Sequence, residues 1–365
     1  MKNYHSERSK MSDLINDCKL PYPIWKAMCN DPYSNKGADY SVSSLFNGPK
    51  QILGDKRLVL LSKLKETKDK SLYEQLQPLF PNQLTLPYEQ FNFDTISIPK
   101  KKASEQLALF DGSMFHDGIE HRLQSDPEFK TEIRMFLKVR ANNRDVLISG
   151  AFDCYCISNN TLYDYKTTAP GGWKWRAKKL LGYGQQVNIY RLLMKLNNIA
   201  NPQRLVIIFI VKGWNELDAK SYDYPPQQYM EEEIQLQSDH EVVELIKEKI
   251  TLIESYKDTP LENIPYCTPE QRWESDPIWK ICKKKKDGSI PVRPRAVPNG
   301  KFESEEAAQL GMRKRSSDYF IHEESGMPKR CFKYCSVYKA GLCDYPKVWT
   351  FNRSEDTETN EIIVV

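Results

Sequence analysis

The sequence lacks the marks of a secreted or membrane-inserted chain. Its first twenty residues, MKNYHSERSKMSDLINDCKL, hold no apolar h-region, so no signal peptide is expected. The longest strongly apolar run, Leu205 to Val211, is far too short to cross a bilayer. No internal repeat is visible, which sets repeat architectures aside. Charge of one sign is also missing. The 53 Lys and Arg against 49 Asp and Glu leave a net charge of only +4, so any contact with nucleic acid must come from local basic patches. Nine cysteines, an odd count without a secretory signal, argue for thiols or metal ligands in a reducing compartment and against disulfides. A cytoplasmic protein is the expectation.

What is present is a globular composition. With 365 residues, 40% hydrophobic and 28% charged, the chain is long enough for a substantial core and about two domains. The stretch 146–168, VLISGAFDCYCISNNTLYDYKTT, organises the reading. Two apolar runs flank Asn159-Asn160, and Asn tolerates the positive φ of tight hairpin turns, so a β-hairpin is predicted. Asp164 and Lys166 are two apart on its second strand and share a face. A two-residue loop puts Ser158 opposite Thr161 and Asp153 opposite Lys166, with Asp164 diagonal to Asp153. A four-residue loop is expected to keep that register, and a three-residue loop turns Asp153 to the wrong face. On the same register Cys154 and Cys156 lie on the opposite face, in the core. Two carboxylates hold hard cations such as Mg²⁺ or Mn²⁺, and a lysine beside them orients water and offsets charge on a phosphate. An isolated Asp-x-Lys is more often a surface ion pair, so the weight falls on the rest of the chain.

Residues 1–38 are polar with a short helix near Tyr22–Lys26. Tyr40–Phe46 precedes a helix starting after Gly48-Pro49, with Ser43 or Ser44 as a candidate cap. The proline-rich stretch 73–103 reads as irregular. A helix is expected from Ser104 to Leu123, where Gly112 and His116, i and i+4, share a face. Ile133 to Val139 reads as a strand. After the break at 167–172, a helix from Trp173 to Leu196 puts Gln186 and Tyr190 on one face, with Arg176, Lys178 and Lys179 near its start. RLVIIFIV, residues 204–211, reads as a strand buried on both faces. A helix follows from Asp239 to Tyr256. These elements predict an α/β core with one central mixed sheet flanked by helices.

The ordered set Gly112-x-x-x-His116, Gly150-x-x-Asp153, Asp164-x-Lys166 and Gln186-x-x-x-Tyr190 resembles the PD-(D/E)XK nuclease superfamily. It is most similar to the RecB-like branch, which includes CRISPR-adaptation and phage recombination exonucleases. The resemblance covers about residues 104–212 and implies a restriction-endonuclease-like core. It implies that His116, Asp153 and Asp164 bind Mg²⁺ or Mn²⁺, with the Tyr165 carbonyl as a backbone ligand. Lys166 corresponds to the catalytic lysine, and Gln186 and Tyr190 position DNA or support the site. Asp164 stands where Glu is common, which shortens that ligand.

Beyond Pro260 the composition turns rich in Lys, Pro and Trp, and ends in Cys331-x3-Cys335-x7-Cys343. Four thiolates suit an iron–sulfur cluster or a structural zinc. Many RecB-like nucleases hold a [4Fe-4S] cluster through a C-terminal cysteine group, with the first ligand ahead of the core, near the position of 43–49 here. No cysteine stands there. The Cys267-Thr-Pro-Glu-x-x-Trp pattern resembles a phage-type variant, so Cys267 is the expected fourth ligand, with Zn²⁺ the alternative occupant. Cys282 is not expected to be a ligand. Lys283, Lys284, Lys285 and Lys286, with Arg293 and Arg295 after them, form either a phosphate-backbone contact or a solvated loop. Trp273, Trp279 and Tyr334 either stack bases or cover the cysteine site.

The expected organisation is a mostly helical or irregular region at 1–103, a nuclease core at 104–260, a cysteine-liganded module at 261–348 and a tail at 349–365. The expected function is metal-dependent DNA exonuclease in phage or bacterial recombination, repair or replication. DNA ends or single strands are the substrate, replication or recombination proteins the partners, and no membrane is involved. A phage-encoded chain would work in the host cytoplasm. Two alternatives stay open: a DNA-binding partner that keeps the fold without cleavage, and a sequence-specific endonuclease of the same superfamily.

Overall fold

The computed structural model describes residues 14–30, 36–221, 224–291 and 294–346. Expectations about the tail and Arg293 lie outside these residues. The chain divides into two compact units, Met1–Pro265 and Tyr266–Val365.

The first unit opens with helix α1, Tyr22–Cys29, and the two-residue strand β1, Tyr40–Ser41. Ser41, not Ser43 or Ser44, caps the 3-10 turn Val42–Phe46: its hydroxyl accepts from Ser44 N, and Ser44 returns a hydroxyl to the Ser41 backbone. The cap falls earlier because the chain turns straight out of β1. Helix α2, Pro49–Thr67, starts on the proline, whose fixed φ suits the first helical position. After α3, Lys70–Leu76, the segment to 100 has only 3-10 turns. Aromatic packing holds it, with the Tyr73 ring buried against Phe91 at 5.2 Å and Tyr88 at 5.7 Å.

Helix α4, Ala103–Leu123, is followed by strands β2 (Phe129–Thr131), β3 (Arg134–Ala141), β4 (Arg144–Ala151), β5 (Cys154–Cys156) and β6 (Thr161–Thr168). A 3-10 turn, Pro170–Trp175, leads into α5, Arg176–Leu196, so the regular helix starts three residues later than the sequence suggested. Strands β7 (Arg204–Val211) and β8 (Tyr229–Ile234) and helix α6 (Asp239–Ser255) complete the unit.

The mixed α/β architecture is as expected, but the single sheet is divided. A five-stranded sheet runs β2-β5-β6-β7-β8, with β6 and β7 parallel and the other pairs antiparallel. A three-stranded sheet runs β1-β4-β3. Residues 146–156 are therefore not one strand. They leave one sheet at Ala151 and enter the other at Cys154, with Phe152 fully buried at the junction.

The tight turn also differs. Asn142 and Asn143 both take positive φ, 45° and 60°, and join Ala141 to Arg144 in a two-residue hairpin. Asn159-Asn160 instead end a four-residue loop that pairs Cys156 with Thr161 and Cys154 with Tyr163. That register is shifted by two from the expected one. A shift of two preserves the face, so Cys154 and Cys156 are buried in the core away from Asp164, as expected.

Helix α4 covers one face of the five-stranded sheet, where Phe115, Ile119 and Leu123 pack on Cys154, Tyr165 and Ile210. Helix α5 covers the other face, where the Tyr183 ring meets Phe209. A buried polar network fixes the near end of β4. Arg144 donates to both oxygens of Glu254 at 2.5 and 2.7 Å, and Tyr40 donates to the same carboxylate at 2.6 Å. At the far end, a Cβ on Gly150 would come within 2.8 Å of both the Tyr190 ring and Val42 Cγ2. Gly150→Ala is expected to destabilise the protein by about 1–3 kcal/mol, since neither neighbour can retreat from a filled core. Denaturant unfolding checks this, and an unchanged midpoint would show that the contact is slack.

Candidate functional site

Antiparallel pairing continues in one register from β3–β4 into β2–β5: Arg134 faces Ala151, and Thr131 faces Cys154. Between those pairs the ladder opens. The residue opposite Asp153 is Glu132, in the left-handed region at φ 48°, with its N–H donating to Phe152 O at 3.1 Å. Two carboxylates thus oppose each other where the two sheets separate, an arrangement that costs energy unless a positive charge intervenes. Glu132 was not foreseen, although the Asn142-Asn143 turn carried the signal. A two-residue hairpin counted from that turn puts 132 across from 153.

His116 reaches the same place from α4. Gly112, one turn earlier, lets the helix lie close to β6, since a Cβ there would meet Thr167 Oγ1 at 3.1 Å. His116 Nδ1 is 3.4 Å from Asp153 Oδ1, and its ring stands edge-on to Tyr165 at 5.7 Å. The other oxygen, Asp153 Oδ2, accepts from Tyr165 N at 2.6 Å, which fixes the carboxylate's orientation. His116, Glu132 and Asp153 each offer one ligand atom, all within 4.8 Å of one another, and no other such trio occurs among the described residues.

Asp164 and Lys166 lie beside them as a pair. Lys166 Nζ is 2.5 Å from Asp164 Oδ2, and only 2% of Asp164 is exposed. The pair is a close ionic contact without the angle of a directed hydrogen bond. Lys166 also lies 5.1 Å over the Tyr183 ring. Tyr183 was missed too, though it lies three residues before Gln186 on the same helical face.

The electrostatics follow from burial and crowding. Burial, which outweighs the pull of Lys166, pushes the Asp164 carboxyl up, and Asp153 adds to the rise. Burial opposes charge on Lys166, but Asp164 and Asp153 more than offset it and hold the ammonium up. His116 behaves likewise: burial disfavours the imidazolium, and the Asp153 carboxylate reverses the balance upward. At Glu132 burial and then Asp153 push the carboxyl up to about 7. Its side chain keeps a solvent-exposed side, and water there limits the rise.

Gln186 and Tyr190 meet on α5, as their spacing predicts. Gln186 Nε2 donates to the Tyr190 hydroxyl at 2.8 Å, and the buried Tyr190 ring lies against Gly150. Arg176 stacks on Trp173 at 4.0 Å and approaches Glu232 at 3.5 Å, while Lys178 lies 5.1 Å over Trp175. Lys179 is exposed on the same first turn of α5.

In the second unit, helix α7 (Pro269–Arg272), strands β9 (Ile278–Lys283) and β10 (Ala296–Phe302), helix α8 (Glu305–Met312), strand β11 (Tyr319–Glu324) and helices α9 (Lys329–Lys333) and α10 (Ser336–Lys339) follow in order. Cys331 and Cys335 are buried on and after α9. Burial pushes the Cys331 thiol up to about 11, and the neighbouring Cys343 and Cys267 thiols add to it. Cys282 is buried in β9. Trp273 and Tyr334 pack together at 5.4 Å, with Arg330 over Trp273. Lys283 ends β9 opposite Tyr319, and Lys284, Lys285 and Lys286 lead into the turn at Gly288.

No protein-family model matches this chain, and no curated protein matches it. Solved structures with a slight likeness include the crystal structure of SSO0001, at 14% identity and a TM-score of 0.33, covering 65% of this chain and 83% of that one. Another is a phage-related exonuclease from Haemophilus somnus 129PT, at 17% identity and a TM-score of 0.25, covering 52% of this chain and 80% of that one. Likenesses this slight assign neither fold nor function.

The Asp164–Lys166 pair has a measurable signature. Lys166→Met alone strands a buried carboxylate and is expected to cost about 3 kcal/mol in metal-free denaturant unfolding. Adding Asp164→Leu should return most of that loss, because the lone charge is gone. Additive losses from the two changes would show that the pair is not energetically coupled.

Proposed function

We propose that this chain is a divalent-metal-dependent deoxyribonuclease of the PD-(D/E)XK type, acting as an exonuclease on DNA ends or single strands in recombination, repair or replication. The observation that carries this reading is the meeting of His116 and Asp153 with the buried Asp164–Lys166 pair at the opening between two sheets.

The donor set fits a metal. An imidazole nitrogen with carboxylate oxygens suits Mn²⁺, and the carboxylates suit Mg²⁺. His116, Asp153 and Asp164, with the Tyr165 carbonyl beside them, would hold the ion, which when bound polarises a phosphate and lowers the pKa of water. The remaining roles belong to the chain itself. The Tyr165 N–H fixes Asp153 so that Oδ1 faces His116. Asp164 and the Tyr183 ring hold the Lys166 ammonium, which orients the attacking water and offsets charge growing on phosphorus. Tyr190 braces the backbone at Gly150, three residues before Asp153, and Gln186 fixes the Tyr190 hydroxyl. Arg176, Lys178 and Lys179 contact the DNA backbone, a salt-sensitive contact that positions without reading sequence. Lys283, Lys284, Lys285 and Lys286 are assigned the same role on the second unit.

Cys267, Cys331, Cys335 and Cys343 are assigned as ligands of a [4Fe-4S] cluster, with Zn²⁺ the alternative. Burial of Cys331 and Cys335, with Cys343 and Cys267 raising the Cys331 thiol electrostatically, is what supports this assignment.

The test is cleavage of end-labelled single- and double-stranded DNA in Mg²⁺ or Mn²⁺. Metal-dependent loss of ends is expected, with the Asp164→Ala, Lys166→Ala double mutant slower by at least about 10²-fold. Undiminished degradation by that mutant would defeat the reading. Tight DNA binding without cleavage by well-folded protein would favour a binding partner instead. A fixed cut in circular DNA, with no attack from ends, would favour an endonuclease.

A further inference from the structure

Resting on the metal-site reading above, we infer that Glu132 is a direct protein ligand of the divalent cation, completing a His116–Glu132–Asp153 set on the solvent side of the site. The resemblance that pointed to His116, Asp153 and Asp164 gave Glu132 no role.

Three observations converge. The first is register. Glu132 stands directly opposite Asp153 at the one place where the β3–β4 and β2–β5 ladder opens. Paired backbones elsewhere along this ladder leave no room for an ion between strands. Here the sheets part, and the gap is bordered by two carboxylates and one imidazole. The second is distance. Adjacent ligands of an octahedral ion at about 2.1 Å stand about 3 Å apart, and opposite ones about 4 Å. His116 Nδ1 and Asp153 Oδ1 are 3.4 Å apart, and a Glu132 oxygen lies within 4.8 Å of a ligand atom of each residue. Small side-chain shifts close that set onto one ion. The third is backbone conformation. Glu132 holds a left-handed φ of 48° with its N–H bonded to Phe152 O, a conformation uncommon for a residue with a side chain. Such departures persist where the surroundings enforce them, and they cluster at functional sites.

Asp164, the buried carboxylate of the proposed set, is partly answered by its lysine. Its Oδ2 is against the Lys166 ammonium, so much of its charge is answered inside the protein. Of the cationic groups that act on the Glu132–Asp153 pair, Arg134 acts on Glu132 and Lys166 is held by Asp164, while His116 contacts Asp153 and serves as a ligand only in its neutral form. Glu132 also keeps an exposed side, which leaves coordination positions open to water and to a phosphate.

The test separates metal binding from catalysis. Mn²⁺ titration of the full chain, followed by electron paramagnetic resonance or calorimetry, is run on the native protein, Glu132→Gln and Glu132→Asp. Glu132→Gln is expected to weaken Mn²⁺ binding at least about tenfold, the loss that removing even an outer partner of a metal site brings. Glu132→Asp keeps the charge on a shorter arm and should fall between. Unfolding in chelator supplies the control. Without metal, Glu132→Gln removes a like charge opposite Asp153, so its midpoint should equal or exceed the native one. Weaker metal binding in a protein that is no less stable cannot come from misfolding. Equal Mn²⁺ affinity in native protein and Glu132→Gln overturns the inference. If that equality accompanies metal-dependent DNA cleavage, the nuclease reading survives it. Glu132-dependent Mn²⁺ binding without any cleavage overturns the nuclease reading and leaves the metal ligand standing.

Discussion

The site depends on one constraint in the backbone. A long antiparallel ladder keeps its register while its two strands change sheets at the same point. On one side of the break β3 and β4 belong to a three-stranded sheet, and on the other β2 and β5 join the five-stranded one. A strand pair can do this only where a few residues give up ladder bonds. Here the regular pairing lapses at Glu132–Ile133 and Phe152–Asp153, with Glu132 N–H still bonded to Phe152 O. Phe152 is fully buried at this junction, and the register on either side sets 132 opposite 153. Everything else at the site arrives at this opening: α4 brings His116, and β6 brings Tyr165, with Asp164 and Lys166 on either side of it.

Both ends of β4 are held, which fixes the opening in place. The bidentate Arg144–Glu254 pair, with the Tyr40 hydroxyl on the same carboxylate, ties the start of β4 to α6 and β1. Tyr190 against Gly150 holds its end. Glu254 is buried and its half-buried partner Arg144 satisfies it, so a slip of register would strand a charge or drive a ring into a backbone. Rigidity of this kind suits a site in which displacement of a ligand atom by a fraction of an ångström matters. The charges then sort themselves. Asp164 and Lys166 neutralise each other in the more buried part, and the negative charge of Asp153 and Glu132 is left on the more accessible side, with His116 between helix and sheet.

Features set by local periodicity were legible in the sequence. Asp164 and Lys166 share a face because strand side chains alternate, and Gln186 and Tyr190 meet because they are four apart on a helix. That logic survived the wrong register, since a shift of two residues leaves every side chain on its original face. Features set by pairing between elements were harder to read. Two Asn-Asn pairs competed for the tight turn, and the chain chose Asn142-Asn143, where both residues take positive φ, over Asn159-Asn160. The division of 146–156 between sheets left no mark on hydrophobicity, because Ala151, Phe152 and Cys154 continue the apolar run. Glu132 was hidden for a related reason. A glutamate just before a strand reads as a solvated loop residue until the turn that places it opposite Asp153 is known.

The cysteines of the second unit show where spacing yields to chemistry. A thiol whose pKa is pushed up to about 11 by burial and by neighbouring thiols is almost wholly protonated at neutral pH. Cys331 is therefore a poor nucleophile as it stands. The crowding that raises it would be costly if all four residues had to ionise alone. A bound cation or cluster inverts that balance, because ligation deprotonates the thiol and the positive charge answers the thiolates together. The proposed ligation of Cys331 together with Cys343 and Cys267 would relieve that mutual cost. The Trp273 and Tyr334 rings of the same unit pack on each other with Arg330 over Trp273, so part of their surface is already taken up within the protein.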